Sequence, residues 1–228
     1  MRKKIGVLLA GNGVYDGSEI HESTFVLLAI AQHGAEAVCF APDVDQHHVV
    51  NHLNGEEMDE KRNVLVESAR IARGAIASAS SINTTELDAL VIPGGFGTAK
   101  NHTNWAIEGP DGAINSEVQR IIVEVAQANK VIVGLCMGPT TIAKALEGTG
   151  MHASLTVGTT EEASPYEIDA ISQGMEKTGA RAVMKTVREI EVDEENNIIT
   201  APCYMMEATI LEVHDNAQQA IKALFARL

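Results

Sequence analysis

The sequence predicts an α/β fold built on a mainly parallel sheet covered on both faces, and three observations carry that reading. Short apolar runs without alternation, at residues 5–10 (IGVLLA), 36–40 (EAVCF), 89–92 (ALVI), 131–135 (VIVGL) and about 153–157 (ASLTV), fit strands buried on both sides. Helical patterns separate them, and strands alternating with helices point to parallel pairing. With 228 residues, 45% hydrophobic and 21% charged, the chain can bury a full core and has the composition of an ordinary globular protein.

Taken in order, residues 5–10 read as a first strand that breaks at Gly11 and Gly13. Residues 21–33 read as a helix stopped by Gly34, which suits a C-terminal cap. The stretch 42–84 is longer than a crossover needs. It carries a polar run, QHHVVNHLNGEEMDEKRN, before a helical pattern at 62–73, and reads as an insertion within one domain spanning 1–228. In 116–129, Val118, Ile121, Ile122 and Val125 share one face behind a Ser116 cap. Residues 186–201 read as a hairpin around Asp193 to Asn197. The last helix, about 206–227, presents Ile210, Val213, Ala217, Ala220, Ile221 and Leu224 on one face.

Charge narrows the function classes. Seventeen basic against 31 acidic residues give a net charge of −14, which repels phosphate backbones and anionic membranes, so neither nucleic acid nor membrane is expected as a partner. The three cysteines, Cys39, Cys136 and Cys203, form no CxxC pair, and a disulfide framework is not expected. The opening MRKKIGVLLAG breaks too soon for a signal-peptide core and no run is long enough to span a bilayer, so the expected compartment is the cytoplasm.

In open parallel sheets ligands bind at the carboxyl ends of the strands, and three such ends are unusual here. In VGLCMGPTT, Cys136 sits in a G-x-C-x-G-P arrangement, the cysteine counterpart of a nucleophile elbow. Glycines relieve crowding around a strained turn, Pro139 fits the first helical turn, and the helix N-terminus should favour the thiolate; Cys136 is expected to be an acidified, reactive thiol. In PGGFG, the N–H of Gly95 together with that of Met137 could form an oxyanion hole. In GVYDGSEIHE, Asp16, Glu19 and Glu22 offer carboxylates, and spacing does not choose between Glu19 and Glu22 as the partner of Cys136. Gly13, Asp16, Gly94 and Gly138 are expected to line the pocket. His102 could also face it, though solvation at the surface is the favoured reading; His152 and His214 have no strand-end setting, and no metal-ligand spacing is present.

Together these strand ends resemble the class I glutamine amidotransferase-like superfamily, in its PfpI and Parkinson-associated deglycase branch. The motifs GVYDGSEIHE, APD, NHLNGE, RNVLVESARI, LDALVIPGGFGTAKN, LTVGT and AP-x-YM are similar to those of its ElbB-type glyoxalase-like members, once labelled isoprenoid-biosynthesis or sigma cross-reacting proteins. The resemblance implies a flavodoxin-like three-layer sandwich, a homodimer, Cys136 as nucleophile and Glu22 as its carboxylate, with Glu19 in reserve. Where the deglycase branch has a histidine after the elbow, LTVGT has none, and Pro202 to Glu207 lacks the late histidine of true amidotransferases. The resemblance then implies the reaction of this branch for which a Cys and Glu pair suffices, a lyase-type, cofactor-independent and glutathione-independent conversion of a small aldehyde, glyoxal or a 2-oxoaldehyde, to a 2-hydroxy acid. The alternative is a redox-responsive or metabolite-binding protein that uses the same cysteine.

Overall fold

The computed structural model describes residues 2–228. Along the chain run β1 (Lys4–Leu8), α1 (Ile20–Gln32), β2 (Glu36–Ala41), α2 (Val64–Ile71), β3 (Ile76–Ser78), β4 (Ala89–Ile92), α3 (Trp105–Glu108) and α4 (Ser116–Gln127). They are followed by β5 (Val131–Leu135), α5 (Gly138–Leu146), β6 (Ser154–Leu155), α6 (Ile168–Lys177), β7 (Arg181–Ala182), β8 (Glu191–Asp193), β9 (Ile198–Ala201) and α7 (Ile210–Phe225). Seven strands form one sheet in the order β3-β2-β1-β4-β5-β9-β8, parallel throughout except for the β8–β9 hairpin. This is a flavodoxin-like α/β sandwich.

The topology sets where a site can form. From β1 the chain crosses outward to β2, and from β4 it crosses the opposite way to β5. Crossovers of one hand running in opposite directions put their helices on opposite faces: α1 packs with α7, and α4 packs with α5. The strand order therefore reverses between β1 and β4, which opens a crevice at their carboxyl ends. Every residue of β4 and β5 is buried, as unalternating apolar strands require.

Several expected elements are realised differently. Residues 153–157 do not join the main sheet; Ser154–Leu155 pairs with Arg181–Ala182 in a separate two-stranded sheet. An apolar run shows that a strand is buried, not which partner it finds. The 42–84 stretch is not wholly an insertion, because its last part supplies the edge strand β3, parallel to β2. Its polar run holds only isolated bridges, Asp45 with Asn63 and Val50 with Glu57. Helix α4 is capped by Asn115, whose side chain accepts from the N–H groups of Glu117 and Val118, rather than by Ser116.

Helix α7 begins with a reciprocal cap: Glu212 N–H donates to Thr209 Oγ1 at 3.3 Å and Thr209 N–H donates to Glu212 Oε2 at 2.9 Å. Thr209→Ala removes the Oγ1 acceptor and should cost about 1 kcal/mol. The check is urea unfolding, in which the midpoint falls while the slope stays the same.

Candidate active site

At the end of β5 the backbone leaves the strand abruptly. Cys136 N–H makes the last rung to β9, donating to Ala201 O at 2.9 Å, and the residue takes φ of +54° before α5 starts at Gly138. For a residue with a Cβ this left-handed conformation costs on the order of 1–3 kcal/mol, so packing has to hold it. The flanking glycines supply the room. A Cβ on Gly134 would lie 2.7 Å from Ile142 Cδ1 and one on Gly138 2.7 Å from Ile92 O, so only hydrogens let α5 close onto β5 and β4.

Helix α1 brings the carboxylates to the same place and separates their tasks. Glu19 is its N-cap and its Oε2 accepts from Glu22 N–H at 2.7 Å. One turn on, Glu22 is fully buried: Oε2 accepts from Gly94 N–H at 2.9 Å, Oε1 from Tyr204 N–H at 3.2 Å, and the carboxylate and the Cys136 sulfur come together beside Gly94. Of the two candidates left open by spacing, Glu22 is the one placed at the sulfur. Gly94 is wedged between the two side chains, and the N–H groups of Gly95 and Met137 are directed at the Cys136 sulfur.

The electrostatics differ from the sequence expectation. Burial, and then the nearby Glu19 charge, push the Glu22 carboxyl up to about 8. Burial, and then Glu22, push the Cys136 thiol well above its ordinary value, against the two N–H donors that favour the thiolate. An independently acidified cysteine is therefore not what the fold builds. The helix-terminus argument holds for an exposed sulfur, whereas Cys136 is 4% exposed beside carboxylates. Both groups keep protons at neutral pH, and a thiolate can form by transfer to Glu22 only once the pair has lost one proton.

Not every expected pocket residue arrives here. Gly138 packs behind the turn on Ile92, away from the cavity at the site. Asp16 accepts from Val50 N–H at 2.8 Å and lies 3.8 Å from His52 Nε2, while Gly13 packs against His52 and Asp16. These two dock the 42–84 stretch beside the site, and no residue of that stretch lines the cavity. His102 is neither in the pocket nor at the surface. It is wholly buried, its Nε2 bonds Leu9 O at 2.9 Å, and desolvation lowers its pKa to about 4.

What the sequence reading missed is a cavity of about 350 Å³ next to the pair, with Tyr15, Glu19, His21, Tyr166, Tyr204 and Glu207 in its wall; Cys136, Glu22 and Gly94 lie behind that wall, and Glu22 is reached through Glu19 and Tyr204. The chain has three tyrosines, and all three are in this wall. Their scarcity was the available signal, but nothing local connects positions 15, 166 and 204. A larger cavity of about 790 Å³ lies at the amino ends of β4 and β5, remote from the cysteine. Its Arg120 and Lys130 are committed to backbone carbonyls of Ala79, Ile82, Thr84 and Leu87, so it reads as a structural cleft. Among the described residues no group of three or more His, Cys, Asp or Glu forms a metal-binding cluster.

No protein-family model matches the chain. The rat ES1 protein homolog, mitochondrial, is 39% identical over 223 residues, covering 97% of this chain and 82% of the relative. Human glutamine amidotransferase-like class 1 domain-containing protein 3, mitochondrial, is 40% identical over 214 residues, covering 93% and 78%. Among solved structures, an isoprenoid biosynthesis protein with amidotransferase-like domain from Ehrlichia chaffeensis matches with a TM-score of 0.89 at 32% identity over 98% of both chains. Glyoxalase III from Candida albicans, at 15% identity and a TM-score of 0.61 over 97% of both chains, shows a shared fold. The cytoplasmic expectation is overturned, because the curated relatives are named mitochondrial. The chain belongs to the ES1 family of glutamine amidotransferase-like class 1 domain proteins.

Proposed function

We propose that this protein is an ElbB-type, glyoxalase-like enzyme that converts glyoxal or a related 2-oxoaldehyde to the 2-hydroxy acid without glutathione. The observation that carries this reading is a fully buried Glu22 carboxyl set against the Cys136 sulfur, with N–H donors around the pair and a cavity of small-molecule size next to it. A carboxyl with a pKa of about 8 can both give and take a proton near neutral pH. The Candida albicans glyoxalase III indicates that the shared fold can house such chemistry.

With glyoxal, Cys136 sulfur bonds to one carbonyl carbon as its proton passes through Glu22 to the carbonyl oxygen, giving a hemithioacetal. The N–H groups of Gly95 and Met137, adjacent to the sulfur, stabilise charge on that oxygen. Glu22, as the carboxylate of the singly protonated pair, then takes the C–H proton and returns it to the neighbouring carbon through an enediol, while the hydroxyl proton passes to the neighbouring oxygen. The product is a 2-hydroxyacyl thioester, and water cleaves its C–S bond to release glycolate and restore the thiol. The reaction is redox-neutral overall and needs only water.

The test is incubation of purified protein with glyoxal, without thiols or added metal, following glycolate by NMR. Steady glycolate production is expected. A protein that makes none, yet is selectively oxidised at Cys136 by mild peroxide, would instead be a redox-responsive protein.

A further inference from the structure

We propose that the tyrosine-lined cavity selects carbonyl compounds carrying a cationic group, an ammonium or guanidinium, over neutral ones and turns away anionic ones, with Glu207 at its rim as the determinant. The inference rests on the reading of Cys136 as the reacting group and adds the class of substrate that reaches it.

Three features of the wall point the same way. Tyr15, Tyr166 and Tyr204 line the wall, and aromatic rings attract cations that come over them within about 6 Å. Glu19 is 7% exposed; its Oε2 is held by Glu22 N–H, and no side chain among the described residues pairs with its other oxygen. Glu207 is exposed at the rim and has no ion pair among the described residues.

Cations that could offset this charge are committed elsewhere. No Lys or Arg lines the cavity. Lys100 donates to Tyr15 O at 2.8 Å and stands 5.8 Å from the centre of the Phe96 ring, which meets Tyr166 edge-on. His21 is bonded through Nδ1 to Tyr204 OH at 2.8 Å. A carboxylate entering here would face Glu19 and Glu207 with no guanidinium or ammonium to receive it. The net charge of −14 extends the same preference outward.

The experiment labels Cys136 of the intact protein with methanethiosulfonates of matched size, the 2-aminoethyl cation and the 2-sulfonatoethyl anion. Peptide mass mapping assigns the site, and each rate is divided by that of a small free thiol. The normalised cation-to-anion ratio should be about 10-fold or more at low ionic strength and should shrink in high salt. In Glu207→Lys it should fall about 3- to 10-fold, with Glu207→Gln between. A ratio near one, or a high ratio unchanged in a folded Glu207→Lys protein, overturns the inference while leaving Cys136 as the nucleophile. No labelling at Cys136 by either reagent overturns both readings.

Discussion

Cys136→Ala is expected to abolish glyoxal conversion, by about 10³-fold or more, because every covalent step runs through that sulfur. Glu22→Gln should cost about 10²- to 10⁴-fold, the usual contribution of one positioned acid–base group. The pH profile separates this pair from an ordinary acidified thiol. With Glu22 pushed to about 8 and Cys136 also pushed up, the pair is fully protonated at neutral pH, and the form with one shared proton accumulates as pH rises. The wild-type kcat/KM should therefore climb towards a bend near pH 8. A profile already flat from pH 6 upward would mean a thiolate formed without Glu22.

The same shift carries a stability signature. The folded Glu22 carboxyl, at about 8, holds a proton that the unfolded chain releases near 4.5. Protonated Glu22 thus contributes stability that is fully present below 4.5 and is lost as pH rises through about 8. The slope is at most about 1.4 kcal/mol per pH unit for one proton. Urea midpoints measured across that window should decline in the wild type and flatten in Glu22→Gln.

How far the sequence reached depended on whether the deciding physics was local. The ends of β1, β4 and β5 were legible because Gly-x-Cys-x-Gly-Pro, Pro-Gly-Gly and an acidic helix start are local backbone devices, and the topology sets those three strands side by side. The choice between Glu19 and Glu22 needed the helix register: with Glu19 as N-cap, Glu22 lies one turn inside and faces the crevice. Burial was not legible. It reversed the expected thiol acidity and took His102 out of both solvent and pocket. The tyrosine wall was hidden for a different reason, since residues 15, 166 and 204 lie beyond β1, β6 and β9 and meet only in the assembled fold. Strand β3 was absorbed into the expected insertion because three residues, Ile76–Ser78, are too few to show a pattern.

Gly94→Ala tests whether the Cys136–Glu22 contact depends on the close approach of β4 and β5. The added Cβ would lie 2.5 Å from Glu22 Oε2 and 2.9 Å from Cys136 Sγ and would collide with Cys136 Cβ. None of these atoms can simply swing aside. The Cys136 Cβ is fixed by a left-handed backbone, and Glu22 is held by two backbone N–H groups, one of them Gly94's own. The strain must move the β4 turn, and that turn is also anchored to α1 through Glu19 N–H donating to Gly94 O at 2.9 Å. Overpacking of this kind costs about 1–3 kcal/mol, and a displacement near 1 Å at reacting groups costs about 10²-fold in rate. Gly34→Ala is the contrast: its φ of +70° makes a side chain costly, yet a Cβ there meets nothing within 4 Å. It should lower stability by about 1–2 kcal/mol and leave turnover per folded molecule unchanged. If Gly94→Ala lost only stability, as Gly34→Ala should, the contact between the cysteine and the carboxyl would not be what limits the reaction.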